Sequence, residues 1–522
     1  MGWEPEIEEL NRRRRFVEQM GGEEAVAKHH ARGKLTVRER IAKLVDPGSF
    51  EEMGALTGVA TYDEAGQLTD LRPANSVVGK CKVDGRRMVV TGGDYTVRGG
   101  AGDANIANKG AYAEGVAMDW RVPLIRLLDA TGGSVRTFEL IGRTYLPGRG
   151  VPGPTPPNLG QMLNTIPVVS AVLGSVAGLP AVQACFAHFN VMVRRTSQIF
   201  VGGPPVVKAS LGYDISKEDL GSEEVQARIS GVIDNVADSE EEAFAIIKRF
   251  LSFMPQNVWE MAPRTTPTDD PNRRDEELLS IIPRKKNRAY DPYEILNRIL
   301  DHDTFFEIAP FYGRSRIVGL ARVNGYPVGA MINNPMHLGG AVDVAAAEKL
   351  IRFVQLCDTF HLPLVYFADE PGLMVGLESE KQGMVRVGAR ASYVINQTKM
   401  PWIAFIIRQL FGVGGGLHMR GGGMRERYAW PSASWGSMHI EGGTMAAYRR
   451  EIEAAPDPEA KRAEIEARLQ GIASPFRTAE TFAIENIIDP RDSRPLLCDF
   501  IEAAQPVLKS QLGPSFAPLY RP

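Results

Sequence analysis

Short apolar runs alternate with stretches of helical periodicity along the chain, and glycine or proline follows most of them. The apolar runs predict β-strands at residues 88–91, 124–128 and 168–173. Helical spacing predicts α-helices at residues 5–33, 36–45 and 109–120, and a helix together with a strand within 191–200. This alternation, with glycine turns at strand ends, indicates α/β units on a mostly parallel sheet.

The pattern of turn residues repeats once along the chain. Val-Asp-Gly ending at Gly85 returns as Val-Asn-Gly ending at Gly325, and matched positions then keep an offset of 240 residues. The matched pairs are Gly99 with Gly339, Pro123 with Pro363, Asp129 with Asp369, and Gly132 with Gly372. After a slip of six residues, Gly178 matches Gly412. Self-similarity over such a long period predicts two copies of one fold unit.

A linker separates the two copies. Residues 262–275 are rich in proline, threonine and charged side chains, which is typical of an exposed connection. We therefore expect an N-terminal domain at residues 1–265 and a C-terminal domain at residues 276–522. Domains of about 250 residues also suit the size that single hydrophobic cores reach. Residues 446–470 predict charged helices interrupted by a Pro-Asp-Pro turn.

Composition narrows the classes of function. The net charge is −3 and the apolar share is 44%, so the chain can build large cores but has no polyanion-binding signature, and no nucleic-acid partner is expected. No apolar stretch is long enough for membrane insertion, and residues 1–9 lack the apolar centre of a signal peptide. The four scattered cysteines are expected to be reduced core thiols of a cytoplasmic protein.

The ends of two predicted strands carry the candidate chemistry. Gly132, Gly133 and Ser134 are expected to open a helix after the first of these strands. Gly178 and Leu179 repeat the design after the second strand. The first N–H groups of a helix have no partner within it and lie at the positive end of its dipole, and glycine lets a ligand approach closely. Two such ends side by side predict a clamp for a carbonyl oxygen that becomes an enolate.

The second copy presents the same design. Gly412, Val413 and Gly414 follow an apolar run at the position that matches Gly178. A pair of oxyanion holes, one in each copy, is therefore predicted, and loss of one donor from such a hole costs about 2.7–4 kcal/mol of barrier. The alternative is that these glycines form ordinary turns between strand and helix. Their match in register across the duplication favours the oxyanion holes.

Other catalytic constellations are weak. The chain has no GxxxxGK[ST] or GxGxxG phosphate loop at a strand end, no GxSxG elbow and no HExxH motif. Its eight histidines do not fall at the spacing of metal ligands, so no metal site is expected. Asp369 and Glu370 form either an acid–base pair or a structural cap, and the equivalent position of Asp129 favours the cap. Three arginines either meet an anionic part of a substrate or lie in a solvated loop: Arg420, Arg425 and Arg427.

Six stretches of sequence carry a resemblance to a known family. They are ARGKLTVRERIAKLVDPGSFEE, TGGDYTVRGGAG, TSQIFVGGPPVVKA, YDPYEILNRILDHDTFFEI, LIRFVQLCDTFHLPLVYFADEPGLMVG and YAWPSAS. In this order they resemble the carboxyltransferase (β) subunit of biotin-dependent acyl-CoA carboxylases, such as the propionyl-CoA and methylcrotonyl-CoA carboxylases. The likeness covers nearly the whole chain, and several long motifs in the right order make it specific.

The resemblance implies a fold and a site. It implies an α/β chain of two tandem crotonase-like domains of the ClpP/crotonase ββα-spiral type. The N-terminal domain would bind the acyl-CoA, and carboxybiotin would enter from the side of the C-terminal domain of another subunit. The family's catalytic amides fall on Gly178 and Leu179 for the thioester oxygen, and on Gly412 and Val413 for the ureido oxygen of biotin. The glycines and serine at 132–134 match the other helix start near the thioester.

The resemblance also implies an activity and partners. A carboxyl group would move from carboxybiotin to the enolate of an acyl-CoA, through positioning, a dry site and backbone dipoles rather than a side-chain base. The chain has no ATP-binding glycine loop and no Ala-Met-Lys-Met biotinylation site. We therefore expect it to depend on a partner that carries biotin carboxylase and the biotin carboxyl carrier. A site shared between subunits implies a homo-oligomer with a hexameric core.

The chain departs from the family pattern at three places. Residues 129–136 are longer than the family's Asp-Ser-Gly-Gly-Ala-Arg, and Leu179 followed by Pro180 stands where the family has a second glycine. Leu179 keeps its N–H, but its side chain makes the wall of the site bulkier. Residues 412–423 are unusually rich in glycine and resemble the methylcrotonyl type more than the propionyl type. Pocket size is expected to depend on residues 134–160 and 412–428, so the acyl group stays open.

Two other functions stay open as well. The same site used in reverse would serve the carboxyltransferase of a biotin-dependent acyl-CoA decarboxylase. Pro180 and the altered helix start would also suit a retuned or non-catalytic paralogue. A neighbouring gene for biotin carboxylase favours the carboxylase, and one for a membrane sodium-pump subunit favours the decarboxylase. Failure to bind any acyl-CoA favours the paralogue.

Overall fold

The computed structural model describes residues 2–146, 156–285 and 287–515. These residues form two compact units, which divide between Val258 and Trp259. The segment 262–275 belongs to the second unit, where Thr265 donates its N–H to the carbonyl of Gly325 at 3.0 Å. Part of the segment that the sequence links to pocket size, residues 147–155, lies outside the described residues.

The first unit has eleven strands among its described residues. They are β1 (Glu51–Glu52), β2 (Gly58–Tyr62), β3 (Leu68–Pro73), β4 (Ser76–Val83), β5 (Arg86–Gly93), β6 (Leu124–Leu128), β7 (Val168–Val172), β8 (Ser175–Ala177), β9 (Phe189–Val193), β10 (Gln198–Phe200) and β11 (Asn235–Ala237). The α-helices described there are α1 (Glu4–Glu18), α2 (Glu23–His30), α3 (Val37–Leu44), α4 (Lys109–Trp120), α5 (Arg136–Ile141), α6 (Leu159–Leu163), α7 (Leu179–Cys185), α8 (Pro204–Leu211), α9 (Lys217–Gly221), α10 (Glu223–Gln226) and α11 (Glu240–Phe253).

The main sheet of the first unit has the strand order β1-β4-β5-β6-β7-β9-β11. The pairs β1–β4 and β4–β5 are antiparallel, and every pair from β5 to β11 is parallel. Strands β8 and β10 form a separate parallel pair, and β2 and β3 form an antiparallel pair. Because parallel strands bring their carboxyl ends to one edge, the loops after β6 and β7 meet there, which is where such sheets bind ligands.

The second unit has eight strands among its described residues. They are β12 (Phe306–Ile308), β13 (Arg316–Val323), β14 (Tyr326–Asn333), β15 (Leu364–Glu370), β16 (Trp402–Phe411), β17 (Arg425–Ala429), β18 (Ser434–Gly436) and β19 (Asn486–Ile487). The α-helices described there are α12 (Pro292–Ile299), α13 (Val344–Thr359), α14 (Leu377–Lys381), α15 (Met384–Gln397), α16 (Gly412–Gly415), α17 (Ile440–Ala447), α18 (Arg449–Glu453), α19 (Pro458–Ile472), α20 (Pro475–Ala479) and α21 (Ser493–Ser510).

The second sheet repeats the first strand by strand. Its order is β12-β13-β14-β15-β16-β17-β19, with the first two pairs antiparallel and the rest parallel. Strands β4 and β5 return as β13 and β14 with unchanged lengths. The last residues of β16 pair with β18 as β8 pairs with β10, so Phe411 lies opposite Gly436 as Ala177 lies opposite Phe200. The duplication predicted from glycine and aspartate positions is therefore a duplication of the fold.

Both sheets are buried because helices cover them, which explains the continuous apolar runs of the sequence. All eight residues of β13 and all five of β7 are buried. In the first unit Phe189 of β9 stacks on Phe250 of α11 with ring centroids 4.7 Å apart. In the second unit α12 and α21 contribute Ile295 and Leu497, both fully buried, to the core. No helix in the described part of the chain combines the length and apolar character that crossing a bilayer requires.

Most of the predicted elements are confirmed. Helix α4 and strand β6 coincide with residues 109–120 and 124–128, and α3 begins at a capping box in which Thr36 accepts a hydrogen bond from the backbone N–H of Glu39. Residues 5–33 are helical as predicted, and a turn with two glycines divides them into α1 and α2. One prediction was wrong in part. Residues 191–200 contain no helix, because a turn with Arg195 at φ +66° joins β9 to β10.

Candidate active site

A buried carboxylate holds the end of β6. Asp129 follows the strand and is 0% exposed. Its Oδ2 lies 2.6 Å from Lys34 Nζ and 3.0 Å from Arg40 Nη1, and Arg40 also pairs with Glu240 at 2.7 Å. Burial lowers the pKa of Lys34, whereas the adjacent Asp129 carboxylate works against that shift. The cluster ties the carboxyl end of β6 to the residues around α3 and α11.

In the second unit, buried carboxylates likewise hold the end of β15. Asp369 accepts hydrogen bonds from Tyr290 Oη at 2.9 Å and from Arg408 Nε at 3.0 Å. Glu370 forms an ion pair with Arg316, and burial raises its pKa although that guanidinium opposes the shift. Both carboxylates are 0% exposed. Asp369 and Glu370 are therefore structural groups rather than an acid–base pair open to substrate.

The two predicted strand ends of the first unit come into contact. Gly132 has φ +80°, and a Cβ at this position would lie 2.5 Å from the carbonyl oxygen of Ala177. The carbonyl of Gly132 accepts the N–H of Gly102 at 2.7 Å, and Ala177 donates its N–H to Ala130 at 3.1 Å. Only glycine suits this position, because it tolerates positive φ and close backbone approach. The segments 132–134 and 178–179 thus lie side by side, as the sequence predicts.

The hydrogen bonds of this edge show which N–H groups are free. Gly178 donates its N–H to the carbonyl of Val201 at 3.0 Å, and Pro180 has no N–H. Leu179 is the first residue of α7, and its N–H has no acceptor within the described ranges. The N–H groups of Gly133 and Ser134 also lack acceptors there. Among the predicted site residues that the structure describes, Leu179, Gly133 and Ser134 therefore have free N–H groups. The N–H of Gly178, which was predicted to be a catalytic donor, is engaged.

The helix after Gly132 starts later than the sequence predicts. Helix α5 begins at Arg136, whose N–H is accepted by Ser134 Oγ at 3.3 Å. Gly132, which is buried and bridged to Ala101, and Gly133, which is exposed, therefore lie ahead of the helix rather than at its first residues. Gly132 still contacts the strand end at residue 177, next to Gly178.

The second unit brings its two strand ends together in the same way. A Cβ on Gly414 would lie 2.7 Å from the carbonyl carbon of Gly372, so α16 packs directly on the loop after β15. The N–H groups of Gly412 and Val413 have no acceptor among the residues that the structure describes. His418 Nδ1 lies 2.6 Å from the carbonyl of Gly415. Burial lowers the pKa of His418 to about 4, so the ring is neutral at pH 7 and donates from Nδ1.

His439 is a site residue that sequence reasoning missed. Its Nε2 lies 3.0 Å from the carbonyl of Pro371, and its ring centroid lies 4.0 Å from that of Phe411. The side chain therefore bridges the end of β15 to the end of β16, beside Gly412. No local pattern signals this role, because His439 is separated from Pro371 by 68 residues and belongs to no spaced motif.

The three arginines that the sequence singled out divide into two groups. Arg420 is buried and donates to the carbonyl of Thr398 at 2.6 Å, and Arg427 pairs with Glu485 at 3.2 Å. Both therefore have protein partners, whereas Arg425 at the start of β17 is exposed. Within the described residues no group of three or more His, Cys, Asp or Glu side chains is arranged to hold a metal ion.

Comparisons with known proteins agree with this architecture. Residues 28–510 match the carboxyl transferase domain family. The chain is 32% identical to a propionyl-CoA carboxylase carboxyltransferase subunit of Haloferax mediterranei, over 98% of each protein. It is 33% identical to the methylmalonyl-CoA carboxyltransferase 12S subunit of Propionibacterium freudenreichii subsp. shermanii, over 96% of this chain and 94% of that protein. It is 31% identical to the methylmalonyl-CoA decarboxylase subunit alpha of Veillonella parvula, over 94% of each.

A solved structure shares the fold over the whole chain. It is the crystal structure of transcarboxylase 12S, described as a hexamer assembly with methylmalonyl-coenzyme A and methylmalonic acid bound. The TM-score is 0.85 at 28% identity, over 100% of this chain and 98% of that one. The two duplicated units are accordingly tandem crotonase-like domains. With the match over residues 28–510, this likeness shows that the chain belongs to the carboxyl transferase domain family.

Proposed function

We propose that this carboxyltransferase moves a carboxyl group from carboxybiotin to the enolate of an acyl-CoA, through one backbone oxyanion hole in each unit. The observation that carries the proposal is the matched pair of free N–H donors, Leu179 in the first unit and Val413 in the second. The aspartates that end β6 and β15 are locked in buried ion pairs instead. A site made of amides, without an available carboxylate base, suits a reaction that stabilises oxyanions.

In the first unit we assign the thioester oxygen to the N–H of Leu179. Gly133 or Ser134 would supply the second donor, because Gly178 donates to Val201. These N–H groups belong to a turn packed against the strand end, so they are in place before substrate arrives. A donor that needs no rearrangement contributes more to transition-state stabilisation than one that must be ordered first.

In the second unit we assign the ureido oxygen of biotin to the N–H groups of Gly412 and Val413. Carboxybiotin, when bound, supplies the carboxyl group that is transferred. These donors fit the ureido carbonyl of biotin, because backbone amides stabilise a neutral carbonyl oxygen as it gains negative charge in the transition state. They do not need to bind an anion in the ground state. Gly414 sets the close packing of α16, His418 contacts the carbonyl of Gly415 in that turn, and His439 contacts the carbonyl of Pro371 in the neighbouring loop.

We further propose that the acyl-CoA lies on an N-terminal domain, residues 1–265, and biotin on a C-terminal domain, residues 276–522, of a second copy. The related transcarboxylase 12S is described as a hexamer assembly, which supports a hexameric core here. The partners would be a biotin carboxylase and a biotin carboxyl carrier. All four cysteines are free thiols, which supports the reducing cytoplasm as the compartment.

Replacing Leu179 by proline tests the first oxyanion hole. Leu179 is the first residue of α7, a position that favours proline, so the helix should form while the N–H disappears. We expect kcat for carboxylation of the acyl-CoA to fall about 10²–10³-fold, the usual effect of removing one such donor. Leu179→Ala, which keeps the N–H, is the matched control. Equal rates for Leu179→Pro and Leu179→Ala would show that the N–H has no catalytic role.

A second candidate function uses the same site in the opposite direction. The likeness to methylmalonyl-CoA decarboxylase subunit alpha, over 94% of both proteins, is the observation that favours it. A carboxyltransferase of that kind would move a carboxyl group from a carboxylated acyl-CoA to biotin. Copurification with a biotin carboxylase supports the carboxylase, and copurification with a membrane subunit in its absence supports the decarboxylase.

A further inference from the structure

We infer that the side chain of Leu179 determines acyl specificity, by forming an apolar wall that selects a compact, uncharged hydrocarbon acyl group. The inference rests on the proposed function, because it places the thioester oxygen on the N–H of the same residue. It adds the chemical class of the acyl group and the side chain that limits its size.

The side chain of Leu179 lies next to the N–H that is assigned to the thioester oxygen. The N–H and the side chain of Leu179 share one Cα, and a carbonyl oxygen bound to that N–H lies about 2.9 Å from the nitrogen. The carbons attached to the carbonyl are therefore within van der Waals reach of the Leu179 side chain. That side chain is 67% exposed although it is apolar, so it is available to a substrate rather than packed in the core.

The backbone around Leu179 is held rigidly. The carbonyl of Gly178 accepts the N–H of Ala181 at 3.0 Å and that of Val182 at 3.1 Å, which closes the first turn of α7. Pro180 fixes its own φ and restricts the conformation of the residue before it. The direction in which Leu179 leaves the backbone is thus set by the fold, and a preset wall discriminates between substrates better than a mobile one.

Two neighbouring side chains are also apolar and exposed. Val182 lies one turn further along α7 and is 45% exposed. Val201, whose carbonyl receives the N–H of Gly178, is 86% exposed. A hydroxyl or charged group further along the acyl chain, beyond the carbon that reacts, would lose water here without gaining a partner, which is costly. The surface around the donor therefore favours a plain hydrocarbon.

The duplication supplies a matched control. Val413 occupies the equivalent position in the second unit, is 70% exposed and keeps a free N–H. Its side chain borders the biotin in the proposed assignment, not the acyl group. Val413→Ala should therefore change the rate with all acyl-CoAs by one common factor, whereas Leu179→Ala should change their ratio.

The experiment compares kcat/KM for propionyl-CoA and hexanoyl-CoA in the complex purified with its biotinylated subunit, using ATP and labelled bicarbonate. We expect Leu179→Ala to raise the hexanoyl-to-propionyl ratio about tenfold, since methylene-sized changes in an apolar pocket shift selectivity by roughly 10–200-fold. Leu179→Phe should lower the ratio, and Val413→Ala should leave it within about twofold.

The outcomes separate this inference from the proposed function. An unchanged ratio in Leu179→Ala, in a complex whose wild type carboxylates acyl-CoAs, would overturn the inference and leave the function standing. An unchanged ratio combined with altered assembly would assign Leu179 to a subunit contact and would also overturn it. If the wild-type complex carboxylates neither thioester nor any shorter or branched acyl-CoA, the proposed function itself fails.

Discussion

At the scale of single residues, the two buried aspartates have a structural role in the proposed site, although the proposed reaction uses no carboxylate. Asp129 and Asp369 stand at equivalent strand ends, and each is fully buried among cationic or hydroxyl partners. Neither touches the N–H groups that we assign to the oxyanions. Each aspartate instead fixes the loop that follows its strand. The buried ion pairs of these aspartates therefore help to set the position of the backbone N–H donors.

Asp129→Asn should destabilise the first unit strongly. The change would leave the buried Lys34 and Arg40 without the carboxylate that they share, and removing one partner of a buried ion pair costs about 3–5 kcal/mol. Chemical unfolding of the full chain measures the effect. Asp214→Asn is the control, because Asp214 pairs with Lys208 on the surface and its loss should change little. Similar unfolding curves for the two variants would contradict the structural role of Asp129.

At the scale of elements, each site depends on glycine where a helix or turn packs against a neighbouring strand end. In the second unit α16 is a short glycine helix seated on Gly372. The apolar strand β16 leads directly into it, so the free N–H groups emerge at the sheet edge. The contact is between backbone atoms, and any side chain at Gly414 would separate them.

Gly414→Ala should displace α16. It should lower kcat for carboxylation by more than the accompanying loss of stability can explain. The new Cβ would lie 2.7 Å from the backbone of Gly372, so the turn that holds Val413 must shift. A displacement near 1 Å can cost about 10²-fold in rate. The measurement is kcat for carboxylation, with the melting temperature recorded in parallel.

Gly416→Ala is the matched control in the same turn. It has φ −65° and no atom within 4 Å of the added Cβ, so the change should be tolerated and should stabilise slightly. If both alanine variants keep wild-type kcat, close packing of α16 is not required for the reaction.

At the scale of the whole molecule, the proposed function assigns one reactant to each copy of the duplicated fold unit. The two units share one strand order, and the proposed amide sites lie at equivalent strand ends with different neighbouring side chains. The chain carries neither an ATP-binding glycine loop nor an Ala-Met-Lys-Met site in its sequence. The proposed reaction therefore needs a partner that charges and delivers biotin.

A pull-down from the native host, probed with streptavidin, should recover a biotinylated subunit in stoichiometric amount. The mass of the purified core should correspond to six copies, as the hexamer assembly of the related 12S structure suggests. A tagged but unrelated host protein serves as the control for free biotinylated subunits. An intact oligomer without any biotinylated partner would count against the ATP-driven carboxylase and favour the retuned paralogue.

The sequence by itself determined the fold class, the duplication and the strand ends at which the candidate site residues lie. Periodicity and glycine turns are local, and a repeat at an offset of 240 residues is visible without coordinates. Strand β6 and helix α4 coincide with their predicted residues for that reason. The resemblance to the carboxyltransferase family was equally available, because it rests on long motifs in a fixed order.

Only the tertiary structure decided which backbone groups are free. Whether an N–H is available depends on the carbonyl that lies opposite, and the carbonyl of Val201 reaches Gly178 from a strand pair formed elsewhere in the chain. The late start of α5, the ion pairs of Asp129 and the bridge made by His439 depend on contacts of the same kind. Such contacts join residues far apart in sequence, so local patterns predict the strand ends but not their hydrogen-bond partners.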